Sequence, residues 1–151
     1  MSNDFKLVII GKYSKSTNSI IDFIGEYGLE KFIVLANYVS DEELYKFYKN
    51  CFCYINVSLV EGYGIPIIEA MQFGCPIICS DIEVFREITN NGVLFVNHHN
   101  ENAIAEAMER LYEDKELYNQ QRKISERLFE EYKTKNNPAK KILEIITNQL
   151  K

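Results

Sequence analysis

The chain has 151 residues, 46% of them hydrophobic and 26% charged, which is the composition of an ordinary globular domain and excludes disordered and collagen-like classes. Folding at this length buries about 68–70% of the unfolded surface, so a single domain over residues 1–151 can form its core without disulfides or metals. The formal charge of −5 argues against a nucleic-acid-binding domain, which needs a net basic footprint.

The first residues lack the basic and apolar stretches of a secretory signal, and no apolar run is long enough to span a bilayer, so a cytoplasmic location is expected. Cys51, Cys53, Cys75 and Cys79 form no Cys-x-x-Cys pair and read as reduced thiols.

In chain order, Lys6 to Ile10 is an apolar, β-branched run ending at Gly11, the pattern of a buried parallel strand. Ile20, Ile21, Phe23, Ile24 and Tyr27 then recur at helical spacing, with Gly28 placed for a left-handed cap. Phe32 to Leu35 is the next strand. Ser40 and Glu43 form a capping box that opens a helix with Leu44, Phe47 and Tyr48 on its apolar face. Cys53 to Val57 reads as a strand, Pro66 to Phe73 as a helix, and Pro76 to Cys79 as a strand. Val84 to Ile88 is a short helical segment and Val93 to Val96 the last clear strand. Helices follow over 103–112 and 117–132, a polar hinge over 133–137, and a terminal helix opened by Pro138. Apolar strands alternating with helices predict an α/β fold, a Rossmann-like doubly wound parallel sheet with helices on both faces.

In such a sheet, ligands bind at the carboxyl ends of the strands. Residues 58–69 lie there. Gly62 and Gly64 are expected to take positive φ and let the backbone approach a ligand. The helix that follows offers unpaired N–H groups from Gly64, Ile65 and residues past Pro66. This is a phosphate seat. Glu61 and Glu69 flank it; carboxylates repel phosphate, so their expected use is to accept hydrogen bonds from neutral hydroxyls such as those of a ribose and a sugar. The pattern describes a site for a nucleoside diphosphate sugar. A glycosidase is set aside, because its two carboxylates face each other across a sugar at about 5–9.5 Å.

The run from Glu61-Gly62-Tyr63-Gly64-Ile65-Pro66 through Glu69-Ala70-Met71 to Gly74-Cys75-Pro76-Ile77-Ile78 resembles the signature of family 4 retaining glycosyltransferases. The resemblance extends from about Phe5 to the end of the chain. It implies the donor-binding half of a GT-B architecture and transfer of a hexosyl group from a nucleotide sugar to a saccharide or lipid-linked acceptor, with no metal or other cofactor required. By the same resemblance, Glu61 contacts the donor hexose and stabilises charge developing at its reacting carbon. Gly62, Tyr63, Gly64 and Ile65 contact sugar and diphosphate, Glu69 holds the ribose, and Tyr38 and Val39 meet the nucleobase. The family's acceptor-binding domain and its basic strand-loop-helix are expected to be missing, leaving Lys12 and Lys15 as the nearby cations and the isolated chain inactive. The alternatives are a non-catalytic nucleotide-binding or interaction module completed by a partner chain, and a nucleotide-sugar epimerase-like relative.

Two further features stand outside this segment. His98-His99 lacks a third ligand at metal spacing and is assigned no role. Lys133, Lys135, Lys140 and Lys141 beside the terminal apolar stripe suggest peripheral membrane contact or self-association through that helix.

Overall fold

A computed structural model describes residues 5–135, which form two compact units divided between Phe47 and Tyr48. The first unit contains β1 (Leu7–Ile10), α1 (Lys15–Glu26) and β2 (Ile33–Ala36), and α2 (Asp41–Asn50) begins in it. β1 and β2 pair in parallel, with Leu7 opposite Ile33 and Ile10 opposite Ala36. α1 ends as the sequence predicts: Gly28 sits at φ +64°, and the Leu29 N–H donates to the Ile24 carbonyl at 2.9 Å. The capping box of α2 is formed, with the Ser40 N–H donating to Glu43 Oε2 at 2.9 Å and the Glu43 N–H to Ser40 Oγ at 3.3 Å. The strands of this unit are less buried than their apolar runs predict, Leu7 being 45% and Val34 39% exposed. Two strands and their connecting helix offer too little surface to cover both faces of a sheet.

The second unit is built from β3 (Tyr54–Asn56), α3 (Ile65–Gln72), β4 (Ile77–Ser80), α4 (Glu83–Ile88), β5 (Leu94–Val96), α5 (Glu101–Glu113) and α6 (Lys115–Lys135). Its strands form a parallel sheet in the order β3-β4-β5, with Tyr54 opposite Ile77 and Ile78 opposite Leu94. The central strand β4 is buried along its whole length. One face presents Ile78 to Val96, Ala107 and Leu111, which places α5 over it. Ile77 and Cys79 point to the other face and are equally buried. α3 packs on β3 and β4 and contributes nothing to the α5 cluster, so it supplies the second cover.

α6 fixes the far end of α3. Ser125 Oγ donates to the Cys75 carbonyl at 2.6 Å and Arg122 Nε to the Gly74 carbonyl at 3.3 Å. Gly74 sits at φ +64°, and a Cβ there would come within 2.9 Å of Glu126 Oε1. The expected hinge over 133–137 is corrected in its first part: α6 continues through Lys135. Lys133 pairs with Glu130 at 2.6 Å and lies over the Phe129 ring, and both contacts favour another helical turn. The terminal helix expected from Pro138, with Lys140 and Lys141, lies outside the described residues. Among the described residues, no helix is long and apolar enough to cross a membrane.

Burial pushes the Cys53 and Cys79 thiols and the Tyr54 phenol up to about 12. In the unfolded chain the thiols release their protons near pH 9 and the phenol near pH 10. Above those values the unfolded state binds fewer protons than the folded one, so stability falls as pH rises, by at most about 1.4 kcal/mol per pH unit for each group. Urea unfolding repeated from about pH 8 to about pH 11 is expected to show the midpoint dropping from about pH 9 onward; a constant midpoint would contradict these buried protonated groups.

Candidate functional site

The loop that leaves the carboxyl end of β3 reaches α3 through Gly64, which caps the helix at φ +77°. A Cβ at Gly64 would lie 2.7 Å from Ile88 Cδ1 and 3.2 Å from Phe85 Cε1, so α4 leaves no room for a side chain. Gly62 differs. It is not among the glycines at positive φ, which corrects the expectation for it, and a Cβ there would meet nothing within 4 Å. Two glycines one residue apart therefore answer to different constraints: Gly64 to the fold, Gly62 to nothing in the folded chain.

The N–H groups of Ile67 and Ile68 both donate to the Gly64 carbonyl, at 3.0 and 3.4 Å, so the donors past Pro66 are already used, contrary to expectation. The N–H groups of Gly62, Tyr63, Gly64 and Ile65 donate to nothing among the described residues. They form a run of free donors at the positive end of α3.

Both flanking carboxylates are held by neighbours. Glu61 is half-buried, with Oε1 2.8 Å from Ser58 Oγ. The same hydroxyl lies 2.7 Å from Asn56 Oδ1, which also accepts the Ser58 N–H at 3.2 Å. Ser58 has one hydroxyl proton for two acceptors, and the charged one is favoured. Asn56 Nδ2 in turn donates to the Tyr54 phenol oxygen at 3.4 Å.

Glu69 is also half-buried; its Oε2 accepts the Tyr48 hydroxyl at 3.1 Å, while Oε1 accepts no hydrogen bond among the described residues. Tyr48 is buried between Phe73, stacked at 6.1 Å, and Tyr54, edge-on at 5.6 Å. Burial raises the pKa of both phenols, and negative charge adds to it: Glu69 for Tyr48, Glu61 and Glu69 together for Tyr54. The phenols therefore stay neutral, and Tyr48 acts as a donor to Glu69.

Tyr63 is half-exposed and its hydroxyl meets that of Tyr132 on α6 at 3.1 Å; Ile65 is 58% exposed. Arg86 on α4 is not free to meet an anion. Its Nε and Nη2 hold both oxygens of Asp81, Nη1 holds Asn91, and the guanidinium lies 4.6 Å from the centre of the Phe95 ring. Lys12, Tyr38 and Val39 belong to the first unit, in the loops after β1 and β2; Lys12 is exposed, Tyr38 is 83% exposed and Val39 half-buried. The second unit thus brings together Glu61 to Ile65 and Glu69. Sequence reasoning placed Ser58 in the segment without a role, and missed Tyr48, Tyr54 and Asn56. The available signal was chemical, since a tyrosine in a buried stripe needs a partner for its hydroxyl.

Residues 1–128 match the family model described as Glycosyl transferases group 1. The chain is 32% identical over 110 residues to the O-antigen chain mannosyltransferase RfbU of Salmonella typhimurium, covering 73% of this chain and 31% of that protein. It is 36% identical over 107 residues to a sucrose-phosphate synthase of Zea mays, covering 69% of this chain and 10% of that one. Among solved structures, Anabaena Alr3699/HepE in complex with UDP-glucose superposes with a TM-score of 0.76 at 16% identity, covering 95% of this chain and 41% of that one. The C-terminal domain of the glycosyl transferase group 1 family protein LpcC from Francisella tularensis gives 0.69 at 23% identity, covering 87% and 70%. These structural likenesses establish the expected α/β, Rossmann-like fold. The chain spans about a third of the length of RfbU.

The glycine pair separates fold from ligand. Gly64→Ala is expected to cost about 1–2 kcal/mol or more, from the left-handed backbone and the crowding by Phe85 and Ile88, whereas Gly62→Ala stays within about 0.5 kcal/mol of the parent. Urea midpoints of the two variants check this; equal losses would contradict the geometry.

Proposed function

The chain belongs to the glycosyl transferases group 1 family, and from that premise we propose that its second unit carries the donor-binding site of a hexosyltransferase. The donor is a nucleoside diphosphate sugar, the acceptor a saccharide or lipid-linked saccharide, and the anomeric configuration is retained. The observation that carries this reading is the run of four unbonded N–H groups, Gly62 to Ile65, between two carboxylates already fixed from behind. Free amides at a helix N-terminus suit a diphosphate. Carboxylates with an oxygen to spare suit hydroxyls, and a charged acceptor strengthens those bonds.

In this reading Glu69 reads the ribose through Oε1 while Tyr48 holds Oε2. Glu61, oriented by Ser58, accepts from the hexose hydroxyls and stabilises positive charge as the bond to the diphosphate breaks. The diphosphate leaves against the amides of Gly62 to Ile65 and needs no metal. Tyr63 and Ile65 line the exposed side of the loop. Acceptor recognition is assigned to protein outside the described residues. The mannosyltransferase name of RfbU and the UDP-glucose of the Anabaena structure support the substrate class.

Calorimetric titration with UDP, GDP, ADP and their sugar conjugates tests the assignment. One base is expected to bind saturably, and a chelator should leave its affinity unchanged. Glu69→Gln should weaken it by about ten- to a hundredfold, the equivalent of a hydrogen bond to a charged group at about 1.5–3 kcal/mol. Gly62→Ala should weaken it too, although the fold tolerates the change. Absence of binding at millimolar concentration, or unchanged affinity in Glu69→Gln, would contradict it.

A further inference from the structure

Cys51 follows the last turn of α2 and Cys75 follows α3, 24 residues apart, yet their sulfurs lie 3.3 Å from each other without a bond. Both thiols converge on one acceptor, the Tyr48 carbonyl, at 2.8 Å from Cys75 Sγ and 3.3 Å from Cys51 Sγ. Cys75 is buried and Cys51 half-buried, so Cys51 is the less enclosed residue of the pair and the one a small reagent meets first.

We infer that Cys51 and Cys75 form an oxidation site, closed by hydrogen peroxide into a disulfide that encircles β3, the donor loop and α3. The chemistry balances. The Cys51 thiolate attacks one peroxide oxygen, the S–O bond forms as O–O breaks, and hydroxide leaves to become water on taking up a proton. Cys75 then attacks the sulfenic sulfur; S–S forms, S–O breaks, and the departing hydroxide takes the Cys75 proton. Two thiols are oxidised, and the peroxide is reduced to two waters. Proximity favours this closure over further oxidation at Cys51.

The two thiols differ in the required sense. The neighbouring Cys75 favours the Cys51 thiolate and lowers its pKa, while Cys75 is raised by the same contact and by burial. Cys53 and Cys79 are held up at about 12 by burial and stay inert thiols. Closing the disulfide removes the Cys75 S–H donor, 2.8 Å from the Tyr48 carbonyl, and Tyr48 is the residue whose hydroxyl holds Glu69. Oxidation thus acts on the Glu69 carboxylate through Tyr48. Only the consequence for ribose binding rests on the proposed donor site.

The full chain, reduced and then treated with hydrogen peroxide, is alkylated and mapped by mass spectrometry, and NMR signals of the Tyr48 ring and Glu69 carboxyl are compared between the two states. The expected result is a linked peptide pair containing Cys51 and Cys75, lighter by two hydrogens, with both NMR signals displaced and restored by dithiothreitol. Cys51→Ala should leave Cys75 unmodified at the same dose, and Cys53→Ala should leave the link intact. Sulfinic acid at Cys51 without a link, or a link through Cys53, would overturn the site. A link that leaves the Tyr48 and Glu69 signals in place would overturn the coupling. No nucleotide enters the measurement, so failure of the oxidation site and failure of the donor site are told apart.

Discussion

The left-handed turn at Gly64 is the constraint on which the site depends. Phe85 and Ile88 occupy the space a side chain would need there, so the chain passes from the β3 loop into α3 with its backbone against α4. That passage leaves the preceding N–H groups without partners among the described residues, because the first N–H groups of a helix have no helical carbonyl before them to donate to. It also puts Glu61 just before the turn and Glu69 in the helix just after it. A different turn would separate the donors from the two acceptors.

Around this turn the fold buries polar groups where apolar ones would pack at lower cost. Tyr48 is a buried ring and Tyr54 a half-buried one in the second unit, and a hydroxyl withdrawn from water is costly unless it is paired. The Tyr48 hydroxyl is paired with Glu69, and the Tyr54 oxygen takes a bond from Asn56. The result is a pair of carboxylates that cannot swing freely. Behind them, α6 secures the Gly74–Cys75 turn through Ser125 and Arg122, so α3 is fixed at both ends. A ligand meets groups already in place, which reduces the ordering cost of binding.

Much of this was legible in the sequence because it is local. Helix periodicity, the Ser40 capping box, the cap at Gly28 and the strand runs each depend on neighbours within a few residues, and the glutamates and glycines of the loop stand in a recognisable order. What was not legible depends on residues far along the chain. Nothing near Gly62 and Gly64 says which one is crowded, because the crowding comes from Phe85 and Ile88. Tyr48 reads as one more apolar position until Glu69, 21 residues on, supplies its partner. The pairing of Cys51 with Cys75 is hidden for the same reason. The half-exposed strands of the first unit were missed because an apolar run reports its own chemistry and not how much surface is present to cover it.

The most direct test of the central claim is amide NMR of the chain as a nucleoside diphosphate is added. The account predicts that the N–H signals of Gly62, Tyr63, Gly64 and Ile65 shift together and saturably, while those of Ile67 and Ile68, already bonded to the Gly64 carbonyl, move less. Shifts centred elsewhere, with these four amides unmoved, would show that the loop is a turn and not a phosphate seat.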